Sequence, residues 1–387
     1  MIIGINASFL RKPETGIGQV TTQFLRTLDK IVAQEGKNKK DIFHIYTQEP
    51  HEEIWSSRSM CDRTFLPPYK RDDLIRKIWW EKHLLPQMAY NNRCEVFLSL
   101  YQSTTITRLP MRHIMVVHDL VPRHYPIYRN NLRKKMDWHL TENAIVMADR
   151  LFAVSTQTEK DVINNLVRDA KTISTNHIDC DPIFKNVVTA TQSRRVLDHY
   201  NLNAGYILSG GGMDVRKNID GVLVTYKNMR EKMRAKKASI PKLVIYGKLQ
   251  PHLAPVATDA QKIAQQLNIG PYVTFLDVVP QKDLPAIFHN ALCFFYPSKY
   301  EGFGLPLLEA MNSGIPVITS RNPALKEVGG DAPLYCNPED VDDMVTALGS
   351  VLNNPQLRHT MKERGKERTK IFSYETFTQK ILATINE

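Results

Sequence analysis

The sequence predicts two consecutive α/β domains, each built on a parallel sheet with crossover helices. Three observations carry that reading. Short apolar runs rich in β-branched residues alternate along the chain with longer segments whose apolar residues recur at helical spacing, the pattern of parallel sheets. The chain has 387 residues, more than one hydrophobic core comfortably serves, so each half is expected to bury its own interior. The polar stretch TNHIDCDPIFKNV, residues 175 to 187, interrupts the alternation and reads as a linker. The expected division is 1–180, 181–370 and a terminal helix over 371–387.

MIIGINASF reads as the first strand. The following GIGQVTTQFLRTLDKIV puts Gly16 and Gly18 ahead of Val20, Phe24, Leu25, Leu28 and Ile31, a glycine turn leading into a helix. DIFHIYTQ, CEVFLSL, RHIMVVHD and RLFAVS are further strands, with helices over LIRKIWWEKHLLPQMAY and LRKKMDWHLTENAIVMA between them. The second series has GYILSGG, PKLVIYGK, YVTFLD, ALCFFYPS and GIPVITS as strands. IDGVLVTYKNMREKM, TDAQKIAQQLN and QKDLPAIFHNA are among its helices. Finally, FSYETFTQKILATI sets Phe372, Tyr374, Phe377, Ile381 and Ile385 on one helical stripe that something must cover. That helix is expected to cross back to the N-terminal domain and pack at the domain boundary.

Composition excludes several classes. Hydrophobic residues make up 42% and charged residues 24%, with no low-complexity tract, so disorder is not the theme. Cys61, Cys94, Cys180, Cys293 and Cys336 lack paired spacing, which argues against a disulfide framework and a zinc site and for a reducing cytosol. There is no basic leader with a long apolar core, and no apolar run approaches the ~20 residues of a membrane span. A cytoplasmic protein is expected. The net charge is +11, with 27 Lys+Arg against 21 Asp+Glu in residues 1–190 and 24 against 19 beyond. Both halves therefore suit anionic partners, a nucleotide diphosphate or an anionic membrane surface, and no nucleic-acid motif is present. The basic clusters are Lys70, Arg71, Arg76 and Lys77 beside Trp79 and Trp80, and Arg123, Arg129, Arg133, Lys134 and Lys135. They read as solvated helix faces before membrane contacts, because interfacial helices also need a large apolar moment.

In open α/β sheets, ligands bind beyond the carboxyl ends of the strands. After GYILSGG the chain continues through Gly210, Gly211 and Gly212 to Arg216 and Lys217. A guanidinium beside an ammonium offers a diphosphate bidentate hydrogen bonding and a mobile point charge; an exposed helix start would look the same. After ALCFFYPS comes YEGFGLPLLEAM. Gly302 and Gly304 permit close backbone approach, and Pro306 suits the first turn of a helix whose dipole favours anions. Glu309 could accept two hydrogen bonds from a vicinal diol such as ribose, and Glu301 could touch a sugar; each alone is equally a surface residue or a helix-dipole partner. His118, alone after an apolar strand, could equally be a buried, hydrogen-bonded residue.

Together, E-G-F-G-L-P-L-L-E-A-M-N-S-G-I-P-V-I, with its glutamates eight apart, and G-G-M-D-V-R-K-N about ninety residues earlier resemble the retaining family 4 glycosyltransferases. The segments V-H-D-L-V-P-R-H-Y-P at 117–126 and A-D-R-L-F-A-V-S at 148–155 are similar to N-domain segments of that family, so the resemblance covers nearly the whole chain. It implies a GT-B fold, two Rossmann-like domains facing each other across a cleft. It also implies that Arg216 and Lys217, with Gly211 and Gly212 beside them, hold the donor diphosphate, and that Glu309 holds the ribose. Glu301 and the amides of Gly302, Phe303, Gly304 and Leu305 would hold sugar and phosphate. Gly16 and Gly18 would close the phosphate side, and His118, followed by Asp119, would face the transferred sugar. The family's usual N-G-V-D linker is here Asn176-His177-Ile178-Asp179, without the glycine. Asp179-Cys180-Asp181 mimics a metal-binding D-x-D, but it follows no suitable strand and is read as linker, so no metal and no cofactor is expected.

The implied reaction moves a hexose, mannose by resemblance of the H-D-L-V-P-R-H-Y-P segment, from a GDP-sugar, or a UDP-sugar, to a saccharide or lipid-linked saccharide in surface polysaccharide assembly. The lipid-linked acceptor makes the inner-membrane surface an expected partner. A sugar-nucleotide epimerase and a non-catalytic nucleotide-binding scaffold remain alternatives.

Overall fold

Seven parallel strands form the sheet of the first unit. They are β1 (Ile2–Asn6), β2 (Ile42–Thr47), β3 (Met60–Thr64), β4 (Val96–Ser99), β5 (Arg112–Val117), β6 (Arg150–Ala153) and β7 (Ile173–Thr175), ordered β3-β2-β1-β4-β5-β6-β7. Six more form the second: β8 (Tyr206–Gly210), β9 (Leu243–Tyr246), β10 (Val273–Leu276), β11 (Ala291–Tyr296), β12 (Val317–Ser320) and β13 (Leu334–Cys336), ordered β10-β9-β8-β11-β12-β13. This is a computed structural model describing residues 1–35, 41–66, 74–107 and 110–387. Its two compact units are Met1–Asp179 with Phe372–Glu387, and Cys180–Ile371. Lys70 and Arg71 lie outside the described residues.

Helices on both faces bury the central strands, which is why β1, β4, β8 and β11 read as near-continuous apolar runs and were legible. The sequence pattern missed β3, β7 and β13. All three are edge strands; β3 is mostly polar, and the other two have three residues each. The strand order reverses between β1 and β4 in the first unit and between β8 and β11 in the second. At such switch points the flanking crossovers run to opposite faces and open a crevice beyond the carboxyl ends.

Two segments depart from expectation. The helix expected over LIRKIWWEKHLLPQMAY is α-helical over Leu74–Trp79, π-helical over Trp80–Leu84 and α-helical again over Leu85–Asn91. The wider turn points two consecutive residues, Trp80 and Glu81, inward. Glu81 accepts hydrogen bonds from Tyr101 Oη (2.7 Å) and Thr104 N (3.1 Å), and Tyr101 is joined through Asn6 to Ser8 and Trp80. The stretch read as a polar linker does join the two units, at Asp179–Cys180, but it is packed: Ile178, Cys180 and Phe184 are buried, and Asp181 caps the 3-10 turn Pro182–Lys185 by accepting from Ile183 N at 2.9 Å. Polar composition there marks caps, not solvent.

The last helix, Tyr374–Ile385, belongs to the first unit as expected. Ser373 caps it, Phe377 meets Phe24 of the helix Gly16–Glu35 edge-on at 6.1 Å, and Arg112 donates to Thr384 O at 2.9 Å. All five cysteines are free thiols.

His113 on β5 is buried, with Nε2 2.9 Å from Ser99 Oγ. Burial pushes its imidazole down to about 4, against the opposing pull of Asp149. The unfolded chain therefore binds a proton between about pH 6.5 and 4 that the folded chain refuses, so stability falls as pH drops through that window. Urea unfolding from about pH 7.5 to about pH 5 should show a loss near 2 kcal/mol attributable to this group, absent in His113→Gln.

Candidate active site

In the second unit, β8 ends in three consecutive glycines. Gly210, Gly211 and Gly212 have φ of +139°, +88° and +115°, values that side-chain-bearing residues rarely adopt. A Cβ on Gly210 would lie 2.1 Å from Tyr246 O, so the turn passes against the β9 backbone. The chain then enters a 3-10 turn, Val215–Lys217, capped by Asp214, whose carboxylate accepts from Arg216 N at 3.1 Å. Arg216 and Lys217 are thus placed by a capped turn at the switch point.

The loop after β11 is laced to that turn. Lys299 N donates to Arg216 O at 2.7 Å, Ser298 Oγ lies 3.0 Å from the same carbonyl, and Asn218 Nδ2 donates to Pro297 O at 3.2 Å. These bonds carry Glu301 over the two cations. Lys217 Nζ donates to Glu301 Oε1 at 2.8 Å, and Arg216 Nη1 lies 3.4 Å from Oε2. Tyr296 Oη and Ser298 Oγ also donate to Oε1, at 2.5 and 2.6 Å. Lys217 is 7% exposed and Glu301 5%. Burial pushes the Glu301 carboxyl up, but the charges of Lys217 and Arg216 with the hydrogen bonds of Lys217 and Ser298 outweigh it and hold the group down at about 2. It is a permanent anion at the centre of the site.

Gly304, φ +109°, precedes the helix Leu305–Asn312, and a Cβ there would meet Leu325 Cδ2 at 2.5 Å. Pro306, second in that helix, packs 3.1 Å from where a Gly211 Cβ would stand, so the two glycine turns lie side by side. Gly302 and Phe303 are buried beside them, with Leu305 half-buried. Glu309 is buried on the inner face of the helix; burial, joined by the Glu309 charge, pushes the Tyr246 phenol well up. The structure therefore gathers Arg216, Lys217, Glu301, the Gly211–Gly212 turn and the Gly302–Leu305 turn into one neighbourhood, with Glu309 beside it. Sequence reasoning missed Tyr296, Ser298 and Asp214. The Y-P-S ending of an apolar strand, five residues before a glutamate, was the available signal.

In the first unit, His118 follows β5. Its Nε2 donates to Leu100 O at 2.8 Å, its backbone N to Gln102 Oε1 at 3.0 Å, and Asp119 caps the next turn through Val121 N at 3.0 Å. Burial pushes the imidazole down, so it is neutral with Nδ1 as its acceptor nitrogen. Gly16 is exposed at the N-terminus of the helix Gly16–Glu35. Gly18 is buried where a Cβ would strike Lys12 O at 1.9 Å. Both glycines and His118 thus sit at the carboxyl ends of the central strands of this sheet.

Residues 199–368 match the family described as Glycosyl transferases group 1. O-antigen chain mannosyltransferase B of Escherichia coli is 29% identical over 374 residues, 95% of this chain and 95% of that protein. Among solved structures, a sucrose-phosphate synthase from Thermosynechococcus elongatus superposes with TM-score 0.76 at 18% identity, covering 100% of this chain and 98% of its own. WaaG, a glycosyltransferase involved in lipopolysaccharide biosynthesis, superposes with TM-score 0.73 at 14% identity, covering 98% of each. The protein is a glycosyltransferase of the GT-B fold. Its second unit carries a group 1 glycosyl transferase domain, and the resemblance to family 4 drawn from the E-G-F-G and G-G-M-D-V-R-K-N motifs is borne out.

The glycine turn is open to a direct check. Gly210→Ala should cost more than about 3 kcal/mol, because strain and a backbone collision add. Gly205→Ala, also at positive φ (+91°) but with nothing within 4 Å of the new Cβ, should cost only about 1 kcal/mol. Paired thermal unfolding curves test the difference.

Proposed function

We propose that this glycosyltransferase moves mannose from GDP-mannose to a lipid-linked saccharide, with retention at the anomeric carbon and without a metal. The observation that carries the reading is the cluster of buried Lys217 and Glu301 with half-buried Arg216 at the switch point of the second sheet. The name of the Escherichia coli relative, similar along nearly the full length of both chains, supports the sugar and the pathway class.

Breaking the anomeric carbon–oxygen bond builds positive character on the sugar and negative charge on the departing diphosphate. Arg216 and Lys217, already positioned and shielded from water, stabilise that charge more in the transition state than before it. The amides of Gly302 to Leu305 receive phosphate and sugar oxygens, Glu309 accepts from the ribose hydroxyls, and Glu301 holds the sugar. In the first unit, His118 is fixed through Leu100 O and Gln102, with its acceptor nitrogen turned to the hydroxyl of a saccharide. The acceptor hydroxyl attacks from the leaving-group face and gives its proton to the departing phosphate oxygen. Two fixed cations do the work a divalent ion would do.

An anionic bilayer is the proposed partner surface. The helix Leu132–Met147 buries Trp138, Thr141, Ala144 and Ile145, while Leu132, Met136 and Met147 face outward, 83%, 62% and 64% exposed. Arg133 and Lys135 lie beside Leu132 and Met136 at the start of this helix, basic groups next to exposed apolar ones that an anionic surface could engage. In the other cluster, Trp80 is buried and Lys77 is paired with Glu81 and Asp137.

Lys217→Ala should lower GDP-mannose turnover by about a hundredfold or more while circular dichroism stays unchanged. Turnover should persist in EDTA. Near-normal turnover in the folded variant, or loss in EDTA restored by manganese, would refute the assignment, and release of an altered free sugar without acceptor would mark an epimerase. Binding to phosphatidylglycerol vesicles should exceed binding to phosphatidylcholine vesicles and drop in Met136→Asp. Equal sedimentation with both lipids counts against the membrane surface.

A further inference from the structure

One oxygen of Glu301 is unusually well supplied. Oε1 takes three donors, Lys217 Nζ at 2.8 Å, Tyr296 Oη at 2.5 Å and Ser298 Oγ at 2.6 Å, whereas Oε2 has Arg216 Nη1 at 3.4 Å. Two of the four partners are cations and two are neutral hydroxyls. An arriving diphosphate competes for the cations, since its oxygens carry more charge than one carboxylate. The hydroxyls have less reason to leave. Tyr296 ends β11, is 1% exposed and stacks on Phe294 at 5.3 Å with an interplanar angle of 15°, so strand and ring packing fix its oxygen. Ser298 is fully buried two residues on.

We infer that Tyr296 and Ser298 are positioning residues that keep Glu301 ionised and in place while Lys217 and Arg216 turn from it to the donor diphosphate; this rests on the nucleotide-sugar reading of the site. A buried carboxylate stripped of both cations takes up a proton unless other donors satisfy it. Protonated, it turns from acceptor to donor towards a sugar hydroxyl, and the site gains a positive charge. With Oε1 held by the two hydroxyls, Oε2 is released by Arg216 and becomes the oxygen that meets the sugar. The other ionisable groups around this cluster are Asp214, 3.3 Å from Arg216 Nε, and Tyr246, whose charge acts on Tyr296 and beyond which lies Glu309. Burial and the nearby Glu301 charge push the Tyr296 phenol well up, so it stays a donor throughout the working pH range.

The test is proton uptake on GDP binding, measured by titration calorimetry near pH 6 on the full chain in two buffers of different ionisation enthalpy. Tyr296→Phe should take up about half a proton more per GDP than the wild type. The acid limb of its GDP-mannose turnover should move up by about one pH unit, with kcat reduced at least about tenfold and donor KM within about threefold. Ser298→Ala should give the same sign with a smaller uptake, and it serves if the tyrosine variant does not fold. A purely structural role would move the unfolding temperature and leave proton uptake alone. GDP binding by both variants with the wild-type proton count overturns the inference and leaves the proposed function standing. Failure of the wild type to bind GDP or UDP overturns both.

Discussion

A carboxylate buried against two cations organises the second unit. Glu301 reaches Lys217 and Arg216 only because the turns after β8 and β11, neighbours in the sheet but far apart in sequence, are laced by backbone bonds such as Lys299 N to Arg216 O. Removing two ions from water is expensive, and close pairing with added hydroxyl donors offsets it. Evolution rarely keeps such an arrangement for stability alone. A cation pair held beside an anion is a site ready for a stronger anion, and under the proposed function that anion is the donor diphosphate.

Glycine sets how close that anion can come. The successive positive-φ residues Gly210 to Gly212 fold the strand end back against Tyr246, and Gly304 brings the next helix in against Leu325. These turns are steric requirements of the fold as much as of the ligand. They explain why substitutions there should disturb folding and catalysis together, whereas Tyr296 and Ser298 act through a single carboxylate. In the first unit the corresponding end of the sheet holds His118, locked by Leu100 and Gln102, and the π-turn carboxylate Glu81, which accepts from Tyr101 and Thr104 and pairs with Lys77.

Much of this was readable in the sequence because parallel sheets buried on both faces write themselves as apolar runs. Both domains and the returning helix Tyr374–Ile385 followed from that logic; that Arg216, Lys217 and Glu301 serve one site came from the resemblance of their two motifs to family 4. Short polar edges such as β3 left no such trace. The segment around Cys180 does join the two units, as read, but its packing was not legible because capping aspartates and solvated aspartates look alike in composition. Tyr296 was read only as the apolar end of a strand; its hydroxyl matters through a partner five residues away, a relation periodicity does not encode.

The most direct measurement is a crystal structure of the full chain with GDP bound. The account requires β-phosphate oxygens within hydrogen-bonding distance of Lys217 Nζ and the Arg216 guanidinium, with Glu301 still held by Tyr296 and Ser298. A nucleotide seated elsewhere, with Lys217 still closed on Glu301, would contradict it.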